Sequence, residues 1–446
     1  MASMAPEIPS SILIVGSGVF GLSTAWALCN NPQFKDTSIT LVDRQPFPTP
    51  DGSSIDTSRI IRPDYAAAPY TRLASISQQR WRTDFAPEHY HQTGLCVTAS
   101  GPEQRYVSES LANVQALGVD NVEVLGTAED IRKACGLEGK GDEGCGSTGY
   151  VNWSSGWANA EGAMGWLREK VERLNRVNFV VGTVKKLIID NNTNTVSGAR
   201  LSDSSELTAD LTLLAAGAWT SALIDLRGIC KATGQALCYM PISPSEEATL
   251  SQRPTILNLS TGLFMIPPSQ RLLKIARHGY GYVNPTTIPH PESPDPNDTI
   301  TVSLPFTHVD DPSQAVPREG QRECREFLAS IHPSLSTPSR PFTKSKICWY
   351  TDTRDGDFLI SYHPKYKGLF VATGGSGHAF KFLPVIGESI LECIMGRTPE
   401  DFKGRWEWPA ERAPEELWKG DGSRGGPVGM VLSEETAKEQ MATSKL

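Results

Sequence analysis

The sequence predicts a mixed fold in which an α/β domain is joined to a mostly antiparallel β domain. Two observations support this class. Residues 11–43 contain a short apolar run, a glycine-rich turn, a helical segment and a second apolar run, which is the order of a βαβ unit. Residues 222–345 hold many prolines, short β-type runs and few long helical patterns, which indicates a separate sheet-rich lobe. A chain of 446 residues is long enough for two or three domains.

The composition, 39% hydrophobic and 21% charged, is that of an ordinary soluble globular protein. The net charge of −8 argues against nucleic acid or an anionic membrane surface as a partner. No apolar run approaches the roughly 20 residues that span a bilayer, so we expect no membrane segment. The nine cysteines form no CxxC pair and no Cys/His metal spacing, which predicts reduced intracellular thiols and no metal site.

The first strand leads into a dinucleotide-binding motif. Ser11–Val15 has the pattern of a short buried strand, and a helix follows the glycine-rich turn. Gly16 permits the tight turn, Gly18 lets the backbone approach a pyrophosphate, and Gly21 lets helix and strand pack closely. The N-terminus of the helix offers free N–H groups and a positive dipole to phosphates. The motif does not separate FAD from NAD.

Two further segments belong to the predicted dinucleotide site. A second strand, Ser38–Val42, ends at Asp43, which lies 22 residues after Gly21 and could accept hydrogen bonds from a ribose. The apolar strand that begins at Leu211 runs into a turn at Gly217, which predicts a second approach of the backbone to the cofactor.

The remaining elements follow from apolar periodicity and from turn residues. Loops are predicted over Pro46–Asp56, Gly139–Gly149 and Pro285–Pro296. Strands are predicted over Gln92–Val97, Asn178–Thr183 and Val184–Ile189. Helices are predicted over Thr71–Phe85, Val107–Leu117, Ala128–Ala134, Glu161–Leu174 and Leu383–Met395.

Two stretches of the second half carry candidate chemistry. Cys348 lies in the run 346–353, and the glycine-rich turn Gly374–Gly377 is followed by Lys381, which opens a predicted helix. Together with the first motif they indicate a flavin, with a cysteine placed to bond the cofactor and a turn to hold its ring. Alone, Cys348 would be typical of a buried structural thiol.

Charged residues at regular spacing form the second group of candidates. In a strand over residues 272–278, Lys274 and His278 share one face. A lysine that faces water is the simpler interpretation of that pattern. Arg59 and Arg62 are three residues apart, so a turn could place both beside the cofactor, where a guanidinium suits a carboxylate. The alternative is a surface or phosphate-binding arginine.

These motifs together resemble the D-amino-acid-oxidase-type flavoenzymes. Within them, the chain is most similar to the branch of monomeric sarcosine oxidase, fungal saccharopine and pipecolate oxidases, and fructosyl amino acid oxidases (amadoriases). The resemblance runs from about residue 10 to residue 410. It is dense at the dinucleotide motif, Ser58–Arg62, Gly156–Ala160, the strand around Lys274, and Cys348–Lys381.

The resemblance implies a glutathione-reductase-like FAD-binding domain of Rossmann type, assembled from discontinuous segments, and a sheet-rich substrate domain. We expect a monomer. The chain ends in Ser444-Lys445-Leu446, which is a peroxisomal address and predicts the import receptor as a partner. The expected division is 1–85, 150–221 and 346–400 for the FAD-binding domain, 86–149 and 222–345 for the substrate-binding domain, and 401–446 for the tail.

The implied reaction is oxidation of a C–N bond in an N-substituted amino acid. The amine is deprotonated, a hydride equivalent passes to the flavin, and water hydrolyses the imine. O2 then reoxidises the flavin and yields H2O2.

The resemblance also implies roles for single residues. Cys348 matches the cysteine that bonds covalently to the flavin as a thiolate nucleophile. Lys274 matches the lysine that activates O2 by its positive charge. His278 matches an active-site histidine, Lys381 a lysine on the substrate carboxylate, and Tyr350 an aromatic residue near the substrate.

The resemblance also concerns three arginines, and the sequence differs from the sarcosine oxidase pattern at one position. Arg62 matches the arginine that binds the substrate carboxylate, and Arg59 is expected near the flavin edge. Arg424 resembles a tail arginine that reaches the carboxylate in amadoriases, but its register is off by one and its role stays open. Where sarcosine oxidase has a tyrosine, this chain offers Leu263 or Phe264, so its substrate pocket differs. The residues expected to contact FAD are Val15, Gly16, Gly18, Val19, Phe20, Gly21, Asp43, Arg44, Ser53, Ser58, Arg59, Val184, Ala216, Gly217, Trp219, Cys348, Gly375, Gly377, His378, Phe380 and Lys381.

Several functions remain open on the sequence. Ser53–Tyr65, with its arginine pair, favours a saccharopine or pipecolate type of oxidase. The same chemistry could serve a biosynthetic pathway, acting on an N-methyl or peptide-tethered amine. An amadoriase is opposed by the arginine pair but favoured by Lys346–Trp349 and by the tail. An NAD-linked dehydrogenase is opposed by Cys348 and Lys274, and a non-catalytic flavin-binding protein is the last alternative.

Overall fold

The computed structural model describes residues 8–414, 418 and 420–436. The predicted peroxisomal signal, Ser444–Leu446, lies outside the described residues. The helices with bounds in that part are α1 (Val19–Asn30), α2 (Ala68–Thr83), α3 (Gln104–Ala116), α4 (Ala128–Cys135), α5 (Ala160–Arg173), α6 (Pro244–Leu250), α7 (Arg318–Ile331) and α8 (Ile386–Ile394).

The strands in the described part of the chain form five sheets. In chain order they are β1 (Ser11–Val15), β2 (Ser38–Asp43), β3 (Arg59–Ile61), β4 (Tyr90–His91), β5 (Leu95–Ala99), β6 (Val122–Leu125), β7 (Thr148–Asn152), β8 (Gly156–Ala158), β9 (Val177–Val181), β10 (Val184–Asp190), β11 (Thr195–Leu201), β12 (Glu206–Thr208), β13 (Leu211–Leu214), β14 (Cys230–Pro241), β15 (Thr255–Asn258), β16 (Leu263–Ser269), β17 (Leu272–Arg277), β18 (Tyr282–Val283), β19 (Pro285–Pro289), β20 (Thr299–Ser303), β21 (Lys344–Thr353), β22 (Leu359–Tyr362), β23 (Leu369–Thr373) and β24 (Met430–Val431).

The first sheet has the strand order β22-β23-β13-β1-β2-β9, and β1 lies parallel to both β2 and β13. Its central strand is apolar on both faces because both faces are covered. Ile12 and Ile14 pack with α1, α5 and α8, whereas Leu13 and Val15 pack towards the small sheet β10-β11-β12. A sheet of this kind places its loops, and therefore a ligand site, at the C-terminal ends of the parallel strands.

The second large sheet is mostly antiparallel, with the order β24-β18-β14-β17-β16-β15-β5-β7-β6, and β21 also pairs with β14. Helix α7 packs on one face of it, where Cys324, Phe327 and Leu328 meet Leu273 and Ile275. This 14-residue helix lies within residues 222–345, where the sequence pattern predicts few long helices.

Two of the predicted domain boundaries fall inside strands. The boundary at residue 150 cuts through β7, and the boundary at residue 346 cuts through β21. The reason is pairing: β21 runs beside β14 from Cys230↔Thr353 to Tyr239↔Lys344, so the strand that carries Cys348 belongs to the antiparallel sheet. The tail also adds a strand there, since β24 pairs with β18.

Two local predictions are also corrected. The predicted loop Pro285–Pro296 begins with β19, which forms a two-stranded hairpin with β20. Its prolines are tolerated because they lie at edge positions, where they do not interrupt the hydrogen bonds of a larger sheet. Lys381 does not begin the predicted helix. It lies in a 3₁₀ turn, Ala379–Phe382, that precedes α8. None of the helices in the described part of the chain has the length and apolar character to cross a membrane.

Candidate active site

Two adjoining cavities lie between the parallel sheet and the antiparallel sheet. The larger is a cleft of about 700 Å³ at the C-terminal ends of β1, β2 and β13. The smaller has a volume of about 70 Å³ and is lined mainly from the antiparallel sheet. Arg59, Tyr350, Gly377 and Phe380 line both, so the two cavities share a wall.

The turn Gly16–Gly18, between β1 and α1, forms the cradle of the large cleft and requires glycine at its first position. Gly16 has a φ of +105°, and a Cβ there would come within 2.4 Å of the carbonyl oxygen of Ala215. At the start of α1, the N–H of Val19 donates to Ser54 Oγ at 3.1 Å. Asp43 Oδ2 accepts from the N–H of Ser17 at 2.7 Å and from its hydroxyl at 2.6 Å. This acid is therefore held at the cleft by the turn itself.

The opposite wall of the cleft is built after β13. Ala216 and Gly217 line it, and the Arg44 guanidinium lies 4.1 Å from the centre of the Trp219 ring. Arg44 also forms an ion pair with the buried Asp51. A cleft of about 700 Å³ with a glycine-rich turn and fixed polar groups in its lining fits the FAD that the sequence implies.

The predicted cofactor residues are distributed over both cavities. Gly21 and Ser58 line neither: a Cβ at Gly21 would come within 1.9 Å of the Gly16 carbonyl oxygen, so this glycine serves helix packing, and Ser58 is buried behind the wall. Cys348, His378 and Lys381 line the smaller cavity. The predicted cofactor residues that line the large cleft are Val15, Gly16, Gly18, Val19, Phe20, Asp43, Arg44, Ser53, Arg59, Val184, Ala216, Gly217, Trp219, Gly375, Gly377 and Phe380.

A segment that the sequence does not link to the cofactor also lines the large cleft. It comprises Ile288 and Pro289 of β19 and the loop that follows, including His290 and Asp295. The proline content of this segment predicts a loop, but it does not predict that the loop lies against the large cleft.

Lys274 lines the smaller cavity and belongs to a buried ion pair. Lys274, which is 2% exposed, donates to Asp56 Oδ2 at 2.8 Å and to the Ser58 carbonyl at 2.7 Å. Asp56 also pairs with Arg59 and accepts from the Tyr239 hydroxyl at 2.7 Å. Burial lowers the pKa of Lys274 to about 8, against the opposing charge of Asp56. Burial acts to raise the pKa of Asp56, but the charges of Lys274 and Arg59 hold it well below its usual value.

Strand β21 presents Cys348 and Tyr350 to the smaller cavity. The two are separated by one residue and therefore share a face, while the Trp349 indole donates to the Phe306 carbonyl at 3.0 Å on the other side. The Cys348 side chain is 4% exposed, and its Sγ lies 3.5 Å from Arg59 Nη2. The thiol is thus placed beside a cation where the two cavities meet.

A chain of hydrogen bonds connects Lys381 with His378. Lys381 Nζ donates to the Tyr65 hydroxyl and to the His378 carbonyl, both at 2.8 Å. The Tyr65 hydroxyl lies 2.9 Å from His378 Nδ1, and His378 Nε2 lies 2.8 Å from the Gly356 carbonyl. Burial and the charge of Lys381 lower the pKa of His378 to about 3, so we assign the neutral ring with its proton on Nε2. Burial, followed by the charge of Arg62, lowers the pKa of Lys381 well below its usual value.

Arg62 lines the smaller cavity with a buried donor that has no hydrogen-bond partner among the described residues. It is 5% exposed, and its guanidinium lies 5.0 Å from the centre of the Tyr65 ring. Its Nη1 is buried and has no hydrogen-bond partner among the described residues. Because a buried unpaired donor is costly, such a group indicates a place for an acceptor that the protein does not itself supply.

The tail reaches the same site, but Arg424 does not line either cavity. Ser423 Oγ donates to Asp421 at 2.5 Å and lies 3.3 Å from His278 Nε2, so we assign the proton of His278 to Nε2. Arg424 donates to Asp352 at 2.5 Å and to two carbonyls at 2.9 Å, behind the ring of Tyr350. Its guanidinium is therefore committed to the protein.

Sequence reasoning missed Asp56, Tyr65 and Tyr239. Asp56 and Tyr65 each lie three residues from an arginine that was singled out, and that spacing is the signal that could have found them. Tyr239 has no comparable signal, since its contact with Asp56 spans 183 residues.

Comparison with known proteins gives consistent matches. The family model described as DAO, FAD dependent oxidoreductase, matches residues 11–392. The amino acid oxidase imqH of Aspergillus flavus is 33% identical, over 87% of this chain and 93% of that protein. The L-saccharopine oxidase of Schizosaccharomyces pombe is 32% identical, over 92% and 95%. The crystal structure of the fructosamine oxidase Amadoriase II from Aspergillus fumigatus has a TM-score of 0.79 and 29% identity, over 95% of this chain and 96% of that chain. The predicted family resemblance and fold class are thereby confirmed.

Proposed function

Because the chain belongs to the DAO family of FAD-dependent oxidoreductases, we propose that it oxidises the C–N bond of an N-substituted amino acid, with O2 as electron acceptor and H2O2 as product. The observation that carries the proposal is that Arg62, Lys274 and Lys381 are buried together in a cavity that adjoins the cofactor cleft. The FAD, when bound, supplies a two-electron acceptor for a hydride equivalent. The remaining steps fall to side chains of this chain.

Arg62 binds the substrate carboxylate. Its buried Nη1 has no partner among the described residues, and a carboxylate is the acceptor that suits a guanidinium best. The ring of Tyr65 supports the guanidinium from one side.

The charges around the cavity favour substrate in its free-amine form. Arg62 lines the cavity and forms no ion pair among the described residues, and its positive charge disfavours a second cation, an ammonium group, beside it. His278 is neutral, because burial and the charges of Arg424 and Arg62 hold its pKa well below its usual value. With its proton on Nε2, the Nδ1 lone pair of His278 can accept a hydrogen bond from the substrate amine. A free amine is the form that can give up a hydride.

Lys274 serves the reaction with O2. Its ammonium group would stabilise the negative charge that develops on oxygen, as a fixed cation in a water-poor site does. Asp56 keeps that lysine protonated over a wider pH range than burial alone would allow.

Cys348 attaches the cofactor covalently. Its thiol faces the junction of the two cavities, and its Sγ lies 3.5 Å from Arg59 Nη2. Attachment is detected as flavin that remains with the protein after acid precipitation.

The deciding experiment is anaerobic mixing of the purified holoenzyme with N-methyl and cyclic amino acids. We expect the flavin absorbance to bleach, and we expect readmitted O2 to restore it with release of H2O2. Reduction of added NAD⁺ instead would indicate the dehydrogenase alternative, and a flavin that no amine reduces would contradict the proposal.

We also propose that the protein is a monomer addressed to peroxisomes by Ser444–Leu446. A fluorescent fusion that keeps the free C-terminus should accumulate in peroxisomes, and the same fusion without these three residues should not. The mass in solution, measured by light scattering, should be that of a single chain of 48.5 kDa.

A further inference from the structure

We infer that Asp421 and Ser423, in the C-terminal tail, are positioning residues that hold His278 in the tautomer with its proton on Nε2. This role rests on the proposed function and deepens it, because His278 is the group proposed to accept a hydrogen bond from the substrate amine. Three observations carry the inference: the hydrogen bonds among the three side chains, the free second nitrogen of the imidazole, and the anchoring of the tail.

The hydrogen bonds among the three side chains have a fixed direction. Ser423 Oγ lies 2.5 Å from Asp421 Oδ1, and the Ser423 N–H donates to the same oxygen at 3.0 Å. A carboxylate can only accept and a serine hydroxyl has one proton, so the hydroxyl donates to Asp421. Ser423 Oγ is then left as an acceptor for His278 Nε2, which lies 3.3 Å away. The proton of the imidazole therefore belongs on Nε2.

The second nitrogen of the imidazole remains available to a ligand. His278 lines the smaller cavity, and its Nδ1 forms no hydrogen bond with any of the described residues. In a neutral imidazole one nitrogen donates and the other accepts, so the proton on Nε2 makes Nδ1 the acceptor. With the proton on Nδ1 instead, the ring would present a donor to the cavity and could not accept from an amine.

The backbone that follows Ser423 is fixed against the end of β17. Ser423 is 4% exposed, and Arg424 donates to the Gly279 carbonyl at 2.9 Å. Gly425 forms an isolated parallel β-bridge with Gly279, which directly follows His278. The position of the Ser423 hydroxyl is therefore set by the main chain on both sides of the contact.

The direct test is the tautomer of His278 in holoenzyme labelled with ¹⁵N-histidine. Protonated and unprotonated ring nitrogens have well separated ¹⁵N resonances, and the signals of His278 are those that disappear in His278→Leu. We expect Nε2 to be protonated and Nδ1 unprotonated. Ser423→Ala removes the acceptor, and Asp421→Asn frees the hydroxyl to donate to Nε2, so both variants should populate the other tautomer. A wild-type ring protonated on Nδ1 would overturn the inference.

A kinetic test separates positioning from structural support. At saturating N-methyl amino acid, Ser423→Ala should lower the limiting rate of anaerobic flavin reduction by about 10-fold to 100-fold. The half-saturating concentration and the rate of reoxidation by O2 should change little, because Arg62 and Lys274 are untouched. Ser423→Thr keeps the hydroxyl and should retain most of the rate. The matched control is Ser433→Ala, which removes an exposed hydroxyl of the same tail and should change none of these quantities.

A double variant tests whether Ser423 acts through His278. Ser423→Ala should slow flavin reduction no further in a His278→Leu background, since the group that it positions is already absent. Additive losses, equal slowing of reduction and reoxidation, or a Ser423→Ala protein that is reduced at the wild-type rate would each overturn the inference and leave the oxidase function standing.

The NMR measurement does not depend on any substrate. Flavin that no amine reduces would overturn the proposed function, while the tautomer of wild-type His278 would still decide whether Asp421 and Ser423 orient the ring. The wild-type spectrum also decides if Ser423→Ala fails to fold.

Discussion

Lys274 Nζ lies 2.8 Å from Asp56 Oδ2, and both side chains are almost completely buried. The two residues are 218 positions apart in the chain. Burial lowers the pKa of Lys274 and the charge of Asp56 opposes that change, so the result is a pKa of about 8. The lysine on which the O2 reaction is proposed to depend is therefore poised to titrate near neutral pH.

The first prediction is a pH dependence of flavin reoxidation. Lys274 is protonated below a pH of about 8 and loses its charge above it. The rate of reaction of reduced flavin with O2 should therefore fall as pH rises through that value. Stopped-flow reoxidation across pH 6–10 measures this. Lys274→Met should be slow at every pH, with reduction by substrate much less affected; equal slowing of both steps would remove Lys274 from this role.

The second prediction concerns Asp56 as a positioning residue. Its charge raises the pKa of Lys274, so Asp56→Asn should lower that pKa and move the reoxidation profile to lower pH. We expect reoxidation at pH 7.5 to slow by about 10-fold to 100-fold. The matched control is Tyr239→Phe, which removes a hydrogen bond to the same carboxylate without changing charge. A merely structural role would alter both variants alike.

Local patterns predicted the parts of the site that depend on neighbouring residues. The glycine spacing at Gly16–Gly21 and the two-residue period that places Lys274 and His278 on one side are short-range features. The pairing of β21 with β14 is long-range, and so are the contacts of Lys274 with Asp56 and of the tail with His278. Composition and periodicity carry no information on which distant segments meet.

Two arginines show that the sequence also does not reveal the long-range partners of single residues. From the sequence, Arg62 and Arg424 were both candidates for the carboxylate. In the structure, Arg424 is neutralised by Asp352, 72 residues away, whereas Arg62 Nη1 has no partner in the described part of the chain. Which cation remains available for a ligand depends on partners that only the folded chain reveals.

The third prediction concerns covalent attachment of the cofactor. Cys348→Ala should leave the flavin extractable by acid, whereas the wild-type protein should retain it in the precipitate. The matched control is Cys393→Ala, which removes another buried thiol, in α8 and away from both cavities. Flavin that stays with acid-precipitated Cys348→Ala protein would defeat the assignment.

The fourth prediction concerns substrate binding by Arg62. Arg62→Met should lower kcat/KM for flavin reduction by about 100-fold or more, mainly through KM, because the carboxylate loses a charged donor. Arg62→Lys should recover part of the loss. Arg105→Met, which removes an exposed ion pair on α3, should change neither parameter. An unchanged KM in Arg62→Met would show that another group binds the carboxylate.

The fifth prediction concerns the packing of α1 on the parallel sheet. A Cβ at Gly21 would come within 1.9 Å of the Gly16 carbonyl oxygen, and backbone there cannot move without opening the cradle of the large cleft. Gly21→Ala should therefore lower the free energy of unfolding by about 1–3 kcal/mol and weaken retention of FAD.

The control for this prediction is a glycine in another helix. Gly165 lies within α5, and a Cβ there would meet nothing within 4 Å. Gly165→Ala should raise the free energy of unfolding by about 0.4–1 kcal/mol, because alanine loses less backbone entropy than glycine in a helix. Urea unfolding followed by tryptophan fluorescence measures both variants, and flavin content after gel filtration reports the cleft. Equal effects of the two substitutions would mean that helix propensity, rather than the contact between Gly21 and Gly16, sets the outcome.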